Sequence, residues 1–290
     1  MRPAEEIKRK LTGAESLRSI VRTMKILAAV NVRQYEKMAA EADDYNLAVE
    51  MGFSIFLNQN PSKEYAPLAP SGKKGYIILG SDMGMCGKFN ELSADFALSV
   101  IEEPENALVM AVGDKVAGKL EDAGLAPADV IMYPAVLSAG IVPMLWEILN
   151  KVEIWMEKLN VNSIVICRNK PAESMGYAPE ARMILPMDPA YLEKLKRTEW
   201  KSRSIPVYKD DREKLFSGLV KNYIYVALYR ALVESLVSEN TARLISMQSA
   251  EKHTAERIEE LTLEYNMERQ DAITSEILDI IAGAEAVEGK

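Results

Sequence analysis

The sequence predicts an α/β chain: a long antiparallel coiled coil made by the two chain ends, plus a central α/β domain. Three observations predict it. Both ends hold long stretches without glycine or proline, with apolar residues spaced by threes and fours. The middle alternates short β-rich apolar runs with helical patterns. The two ends also carry opposite net charge, +5 over residues 1–40 and −7 over residues 251–290.

The first helix is expected over about Pro3 to Leu57, and the N-terminal part is bounded as residues 1–57. Between Ala14 and Met51 there is no Gly or Pro. A narrow stripe runs through Ile7, Leu11, Ala14, Val21, Ala28, Val32, Tyr35, Ala39, Ala42 and Val49, interrupted by Arg18, Lys25 and Asn46. So thin a stripe is a coiled-coil seam, and its many alanines admit a close partner helix. At 1.5 Å per residue the helix reaches roughly 80 Å.

The last helix is expected over 208–287. Asp210 with Glu213 is its candidate capping pair, and Gly283 stands where a C-terminal cap belongs. The stretch from Leu219 to Ala282, free of Gly and Pro, extends about 95 Å. Helices of this length with thin apolar stripes are unstable alone in water, so pairing with each other is the economical solution.

The central domain is expected over 72–206, between a Pro- and Ser-rich linker at 58–72 and a return linker at 204–208. Strand candidates are 75–81, 107–113, 129–134, 163–169 and a weaker 181–186. Helix candidates are 89–102, 114–123, 141–159 and 188–200. This order predicts a mostly parallel sheet with helices on both faces.

Composition excludes several functions. A net charge of −8 argues against a general nucleic-acid binder, and the basic N-terminal helix has almost no interleaved aromatics for base stacking. One histidine, His253, leaves little room for His-based zinc sites or Ser-His-Asp catalysis, and it reads as a surface helix residue. Cys86 and Cys167, with no CxxC, read as structural thiols in a reducing compartment. No run of 18 apolar residues is present. The opening MRPAEEIKRKL enters a charged helical pattern at once, as expected of a chain made and used in a prokaryotic cytoplasm, or of one already mature.

The sharpest local motif is GSDMGMCGKFN at 80–90, between a strand and a helix. Its spacing is Gly-x3-Gly-x2-Gly, neither GxGxxG nor GxxxxGK[ST], so a structural turn outweighs a phosphate cradle. Asp82, Asp114 and Asp188 stand singly at strand ends, with no second carboxylate at a spacing that suggests acid/base work. Arg269 and Gln270, on the last helix, offer directional hydrogen-bond donors suited to a protein partner.

At this point the chain resembles the gamma subunits of F-type ATP synthases. SENTARLISMQSA (238–250) is similar to the family's SEQAARMVAMKSA, and ELTLEYNMERQDAITSEILDIIAGAEAV (260–287) to its ELTLxYNKARQAxITxELxEIVxGAxAV. The loop SDMGMCGKFN (81–90) resembles SDRGLCGxxN, and TMKILAA (23–29) resembles AMKMVAA. The chain departs from the family at Ser16–Val21, where NTxKIT is usual, at Asn31, usually basic, and at Met83, usually Arg.

The resemblance implies a Rossmann-like central domain and a rotor shaft without catalysis or cofactor. It implies alpha and beta subunits, an epsilon subunit and a membrane ring of c subunits as partners, and a peripheral place on the cytoplasmic side of the cell membrane. The coupling ion would be a proton or sodium. By the same resemblance Met24 and Lys25 lie near an acidic lever loop of beta, and Arg243 packs close by across the coil. Arg269, Gln270, Thr274 and Glu276 would meet a catch loop of beta. The alternatives from the residues alone are a nucleotide-dependent enzyme with helical extensions, resting on the 80–87 loop, and a coiled-coil adaptor.

Overall fold

The computed structural model describes residues 3–59, 72–134, 137–172, 176–198, 204, 206–207 and 211–288. The elements in chain order are α1 (Pro3–Gln59), β1 (Lys73–Leu79), α2 (Phe89–Val100), β2 (Ala107–Val112), α3 (Asp114–Asp122), β3 (Asp129–Ile131), α4 (Leu137–Lys158), β4 (Val161–Ala172), β5 (Gly176–Leu185), α5 (Pro189–Lys196) and α6 (Arg212–Glu288). Most of the first linker, part of the second and Asp210 lie outside the described residues. The chain divides into two compact units: Met1–Ala28 with Leu244–Lys290, and Ala29–Arg243.

The second unit is organised by one sheet of order β3-β2-β1-β4-β5. β1 pairs in parallel with β2 and β4, and β2 with β3, while β5 returns antiparallel along β4. Strand alternation sends side chains to two separate cores. Tyr76, Ile78, Val109, Ala111, Val165 and Cys167 pack with α2 and α3. Ile77, Leu79, Met110, Val112, Ile164 and Ile166 face the other way, toward α4, α6 and the C-terminal half of α1. Helix α4 meets this second core along Ile141, Met144, Leu145, Ile148, Val152 and Trp155, a three-and-four spacing that brings one side of a helix into line.

In this unit α1 and α6 run antiparallel: Asn31 donates to Asn240, Asp43 meets Arg230, and Tyr45 donates to Asn222. Phe53 sits edge-on to both Phe216 and Tyr223, and Phe56 stacks on Phe216, anchoring the end of α1. The stripe read from the sequence is the buried stripe. Val21, Ala28, Tyr35, Ala42 and Val49 are buried, and Ile7, Leu11, Ala14, Lys25, Val32, Ala39 and Asn46 are half-buried; of its positions only Arg18 is exposed.

Four expectations need correction. The strand expected over 129–134 stops at Ile131, because the Tyr133 N–H donates to the Asp82 carboxylate instead of to a ladder. The weak 181–186 run is a ten-residue edge strand; Glu180 and Arg182 hid it by interrupting its apolar pattern. Gly283 does not end α6, which continues to Glu288 with the glycine tolerated inside it. At the other end Asp211 accepts the Glu213 N–H at 2.9 Å, as an N-terminal cap does, while the expected Asp210 lies outside the described residues. The helix expected over 188–200 is α5, which ends at Lys196 and is capped by Asp188 accepting from the Ala190 N–H.

Candidate functional site

In the first unit the stripe of α1 faces a matching stripe on α6, in which Met247, Thr254 and Leu261 are buried and Ala250, Ile258, Tyr265 and Glu268 half-buried. Polar groups enter this seam. The Lys25 ammonium donates to the Glu251 carboxylate, both half-buried. That hydrogen bond, with Arg22 and Arg18 adding their charge, holds Glu251 below the ordinary carboxylate range. Met24 is half-buried beside it. Leu17, Ile20, Ile26 and Leu27 lie off the seam register and are each about half exposed (52, 53, 54 and 51%).

Beyond Glu268 the seam ends. Every side chain from Arg269 to Ala282 is exposed. Arg269, Gln270, Thr274 and Glu276 are all in this stretch. The Thr274 hydroxyl is turned back onto the Gln270 carbonyl at 2.9 Å, while Arg269 makes no ion pair among the described residues. Ile273, Ile277, Leu278, Ile280 and Ile281 stand exposed among them, Ile280 by 71%. Sequence reasoning passed over this apolar set and the Leu17–Leu27 set. The available signal was apolar residues out of step with the seam.

Arg243 belongs to the second unit, where α6 is buried nearly all round. From Ala231 to Asn240 only Glu234 is less than buried. Arg243 pairs with Glu239 at 2.7 Å and donates to the Met83 carbonyl at 3.4 Å. Burial pushes the Glu239 carboxyl up, with the Arg243 charge opposing. Burial likewise raises the nearby Tyr133 hydroxyl, with Glu239 and Asp82 adding to it, and that hydroxyl has no hydrogen-bond partner among the described residues.

The 80–90 loop is built around this contact. A Cβ on Gly80 would lie 2.3 Å from Val116, so the glycine allows α3 to press against β1. Gly113, at φ 112°, lets the chain turn against Ser81. Asp82 accepts the Asp114 N–H at 2.8 Å with one oxygen and the Tyr133 N–H at 2.7 Å with the other. Asn90 donates to Ser81 Oγ at 2.8 Å and accepts from the Ser81 N–H at 2.9 Å. Cys86 and Phe89 pack on Ala242 of α6. Gly80, the Asp82 carboxylate and the Met83 carbonyl are therefore committed to joining β1, α3 and α6, which is the structural-turn reading.

Cys86 and Cys167 are free and buried, and burial pushes their thiols up, Cys167 to about 12. His253 is exposed at 3.4 Å from Glu256. Among the described residues no group of three or more His, Cys, Asp or Glu could hold a metal ion, and no helix is long and apolar enough to cross a membrane.

Known proteins share this organisation. A family described as ATP synthase matches residues 3–287. The ATP synthase gamma chain of Polaromonas sp. (strain JS666 / ATCC BAA-500) is 27% identical over 297 residues, covering 99% of this chain and 100% of the relative. That of Polynucleobacter asymbioticus is 27% identical over 296 residues, covering the same shares. Among solved structures, a chain of the Euglena gracilis mitochondrial ATP synthase (OSCP/F1/c-ring, rotational state 3) aligns with TM-score 0.64 at 16% identity, over 98% of this chain and 94% of that one. A chain of the Tetrahymena thermophila mitochondrial ATP synthase central stalk/c-ring aligns with TM-score 0.58 at 18% identity, over 80% and 99%. Both likenesses are of fold.

Proposed function

The chain belongs to the ATP synthase family as a gamma-type subunit of the central stalk, and on that premise we propose how it couples rotation to nucleotide chemistry. Its paired helices enter a hexamer of alternating alpha and beta subunits. Its central domain stands on a membrane ring of c subunits and contacts epsilon, at the cytoplasmic side of the membrane and peripheral to it. Flow of protons or sodium ions turns ring and stalk together. The stalk is not symmetric, so it touches each beta subunit differently and favours a different nucleotide affinity in each. The chain itself makes no bond to the transferred phosphate.

The working division is residues 1–57 and 208–287 as the shaft and 72–206 as the part that carries it. The observation that carries the reading is the bare end of α6: from Arg269 on, the helix exposes directional polar groups and isoleucines together. Such a surface grips a partner by discrete contacts without being fixed there by a broad apolar interface. Arg269, Gln270, Thr274 and Glu276 supply contacts to a beta catch loop. Met24 and Lys25 face the acidic lever loop of beta; Arg243, in the second unit, holds the 80–90 loop through the Met83 carbonyl.

The test is native mass spectrometry of this chain co-expressed with alpha and beta subunits from the same genome. One copy per three alpha and three beta is expected. A free monomer beside an assembled alpha–beta ring would overturn the reading.

A further inference from the structure

Glu239 is a carboxyl buried in the most enclosed stretch of α6, and its partner Arg243, one turn on, is buried with it. The two side chains meet at 2.7 Å. The same Arg243 nitrogen reaches the Met83 carbonyl at 3.4 Å, and that carbonyl also accepts the Ser81 hydroxyl at 2.8 Å. One guanidinium nitrogen therefore ties a buried carboxylate to the backbone of the 80–90 loop. A buried charge that loses its only counter-charge is strongly disfavoured, so each member of this tie depends on the other.

Every element packed around Glu239 brings a titratable group to it. Tyr35 comes from α1, Asp82 and Cys86 from the 80–90 loop, and Tyr133 from the segment after β3. Asp82 is not free to replace Glu239 beside Arg243, because its two oxygens accept the Asp114 and Tyr133 N–H groups. The buried Tyr133 hydroxyl has no hydrogen-bond partner among the described residues. A hydroxyl both donates and accepts. It can therefore serve the Glu239 carboxyl with or without its proton.

We infer that Glu239 is a proton-operated latch on the 80–90 loop: ionised, it holds Arg243 against the Met83 carbonyl, and on taking a proton from solvent it turns to the Tyr133 hydroxyl and releases Arg243 and the loop. The direction follows from the surroundings. Burial raises the Glu239 carboxyl, and Arg243 opposes that rise. When Arg243 lets go, the opposition is removed while Tyr35 and Tyr133 keep the carboxyl covered. The released arrangement then binds the proton more tightly, and falling pH favours it. Met83 and Met85 stand exposed on the loop, so the latch sets how a surface is presented. All its groups belong to the second unit, and the inference does not depend on the central-stalk reading.

The experiment follows amide hydrogen exchange of the full chain by mass spectrometry from about pH 8 to about pH 5, corrected for the intrinsic pH dependence of exchange. A peptide over 81–92 reports the loop, whose Ser81 N–H donates to Asn90 and Phe89 N–H to the Cys86 carbonyl, and a peptide over β2 is the reference. Loop protection relative to β2 is expected to fall about tenfold across that range, since one proton shifts a population by up to about tenfold per pH unit. Glu239→Gln, which keeps the shape without the charge, should show the low protection at every pH, and so should Arg243→Met. Asp82→Asn should keep the fall but move it to lower pH, because the Asp82 charge adds to the rise of Glu239. Loop protection in the unmodified chain that is independent of pH, or that grows as pH falls, overturns the inference whatever the variants do. A fall shared equally by β2 overturns it, being unfolding of the sheet and not release of the loop. A Glu239→Gln loop as protected and as pH-dependent as the unmodified one overturns it as well, and so does a fall that Asp82→Asn abolishes.

Discussion

Arg168 on β4 holds its guanidinium 2.7 Å from the Glu234 carboxylate on α6 and 3.0 Å from that of Glu180 on β5, with its own side chain only 6% exposed. The pairing continues in both directions. Glu234 also takes Arg230 at 2.8 Å, Arg230 reaches Asp43 of α1 at 2.9 Å, and Glu180 takes Lys170 at 2.6 Å. One chain of charges thus joins the sheet to both long helices of the second unit. Apolar packing there supplies most of the stabilisation, but it is non-directional. Charge pairs accept few alternative arrangements, so this chain fixes how α6 lies on β4.

Removing one partner tests that account. Arg168→Met takes the shared cation from Glu234 and Glu180, both half-buried, leaves them only Arg230 and Lys170, and should cost about 1.5–3 kcal/mol of stability. Adding Glu234→Met should recover a large part, because the most buried carboxylate then goes too. Denaturant unfolding followed by tryptophan fluorescence reads both, since Trp146 and Trp155 belong to this unit. Equal stability of the single variant and the unmodified chain would contradict it.

A buried carboxyl, Glu239, and a half-buried one, Glu180, should give opposite pH dependences. Glu239 is raised by burial, so folding favours its neutral form. Its contribution is greatest below the unfolded carboxyl value and declines as pH rises through the higher folded value. Burial also raises Glu180, but the Lys170 hydrogen bond and the Arg168 charge outweigh it and leave the group lowered. Its contribution is present above the unfolded value of about 4.3 and disappears as pH falls through the folded value. Melting-temperature differences from Glu239→Gln and Glu180→Gln, followed against pH, should therefore slope in opposite directions. Parallel slopes would refute the assignment.

Asp82 gives a separate handle on the 80–90 loop. Asp82→Ala removes the acceptor of two backbone N–H groups and should cost about 3 kcal/mol, with Asp82→Asn, which keeps one oxygen, costing less. Inorganic phosphate or a nucleotide should leave the melting temperature of the unmodified chain unchanged. A rise of several degrees with either would revive the phosphate-cradle reading that the committed carboxylate argues against.

What the sequence reveals and conceals here has physical causes. The α1 seam is legible because a helix with one partner writes its contacts at a fixed spacing, and Val21, Ala28, Tyr35, Ala42 and Val49 are buried accordingly. The stretch of α6 from Ala231 to Asn240 does not read that way. There the coil partner covers one side and the sheet domain another, so Ser235, Ser238 and Asn240 are buried among apolar neighbours with no periodic mark. The Arg168–Glu234 pair is likewise invisible, since residues 66 positions apart meet only once the sheet has formed. Of the candidate site, residue types and position along α6 were legible. That the side chains from Arg269 to Ala282 are exposed was not, because exposure depends on how the two helices meet and residue type does not record it.

The bare end of α6 separates folding from function. Arg269→Ala with Gln270→Ala removes two exposed side chains, so the isolated chain should change in stability by no more than about 0.5 kcal/mol. In the assembled complex the same pair should lower ATP synthesis about tenfold, corresponding to roughly 1.4 kcal/mol of lost directional contact. Lys252→Ala with Glu256→Ala is the control. It removes an exposed 3.9 Å pair from the same helix, where the seam is still closed, and should alter neither quantity. Synthesis unchanged in the Arg269 and Gln270 variant would remove these residues from the coupling surface. Loss in both variants alike would mean that α6 tolerates no surface change, so that the exposed end has no special part in coupling. Loss confined to the first variant, in a chain of undiminished stability, requires that the contact be made to another subunit.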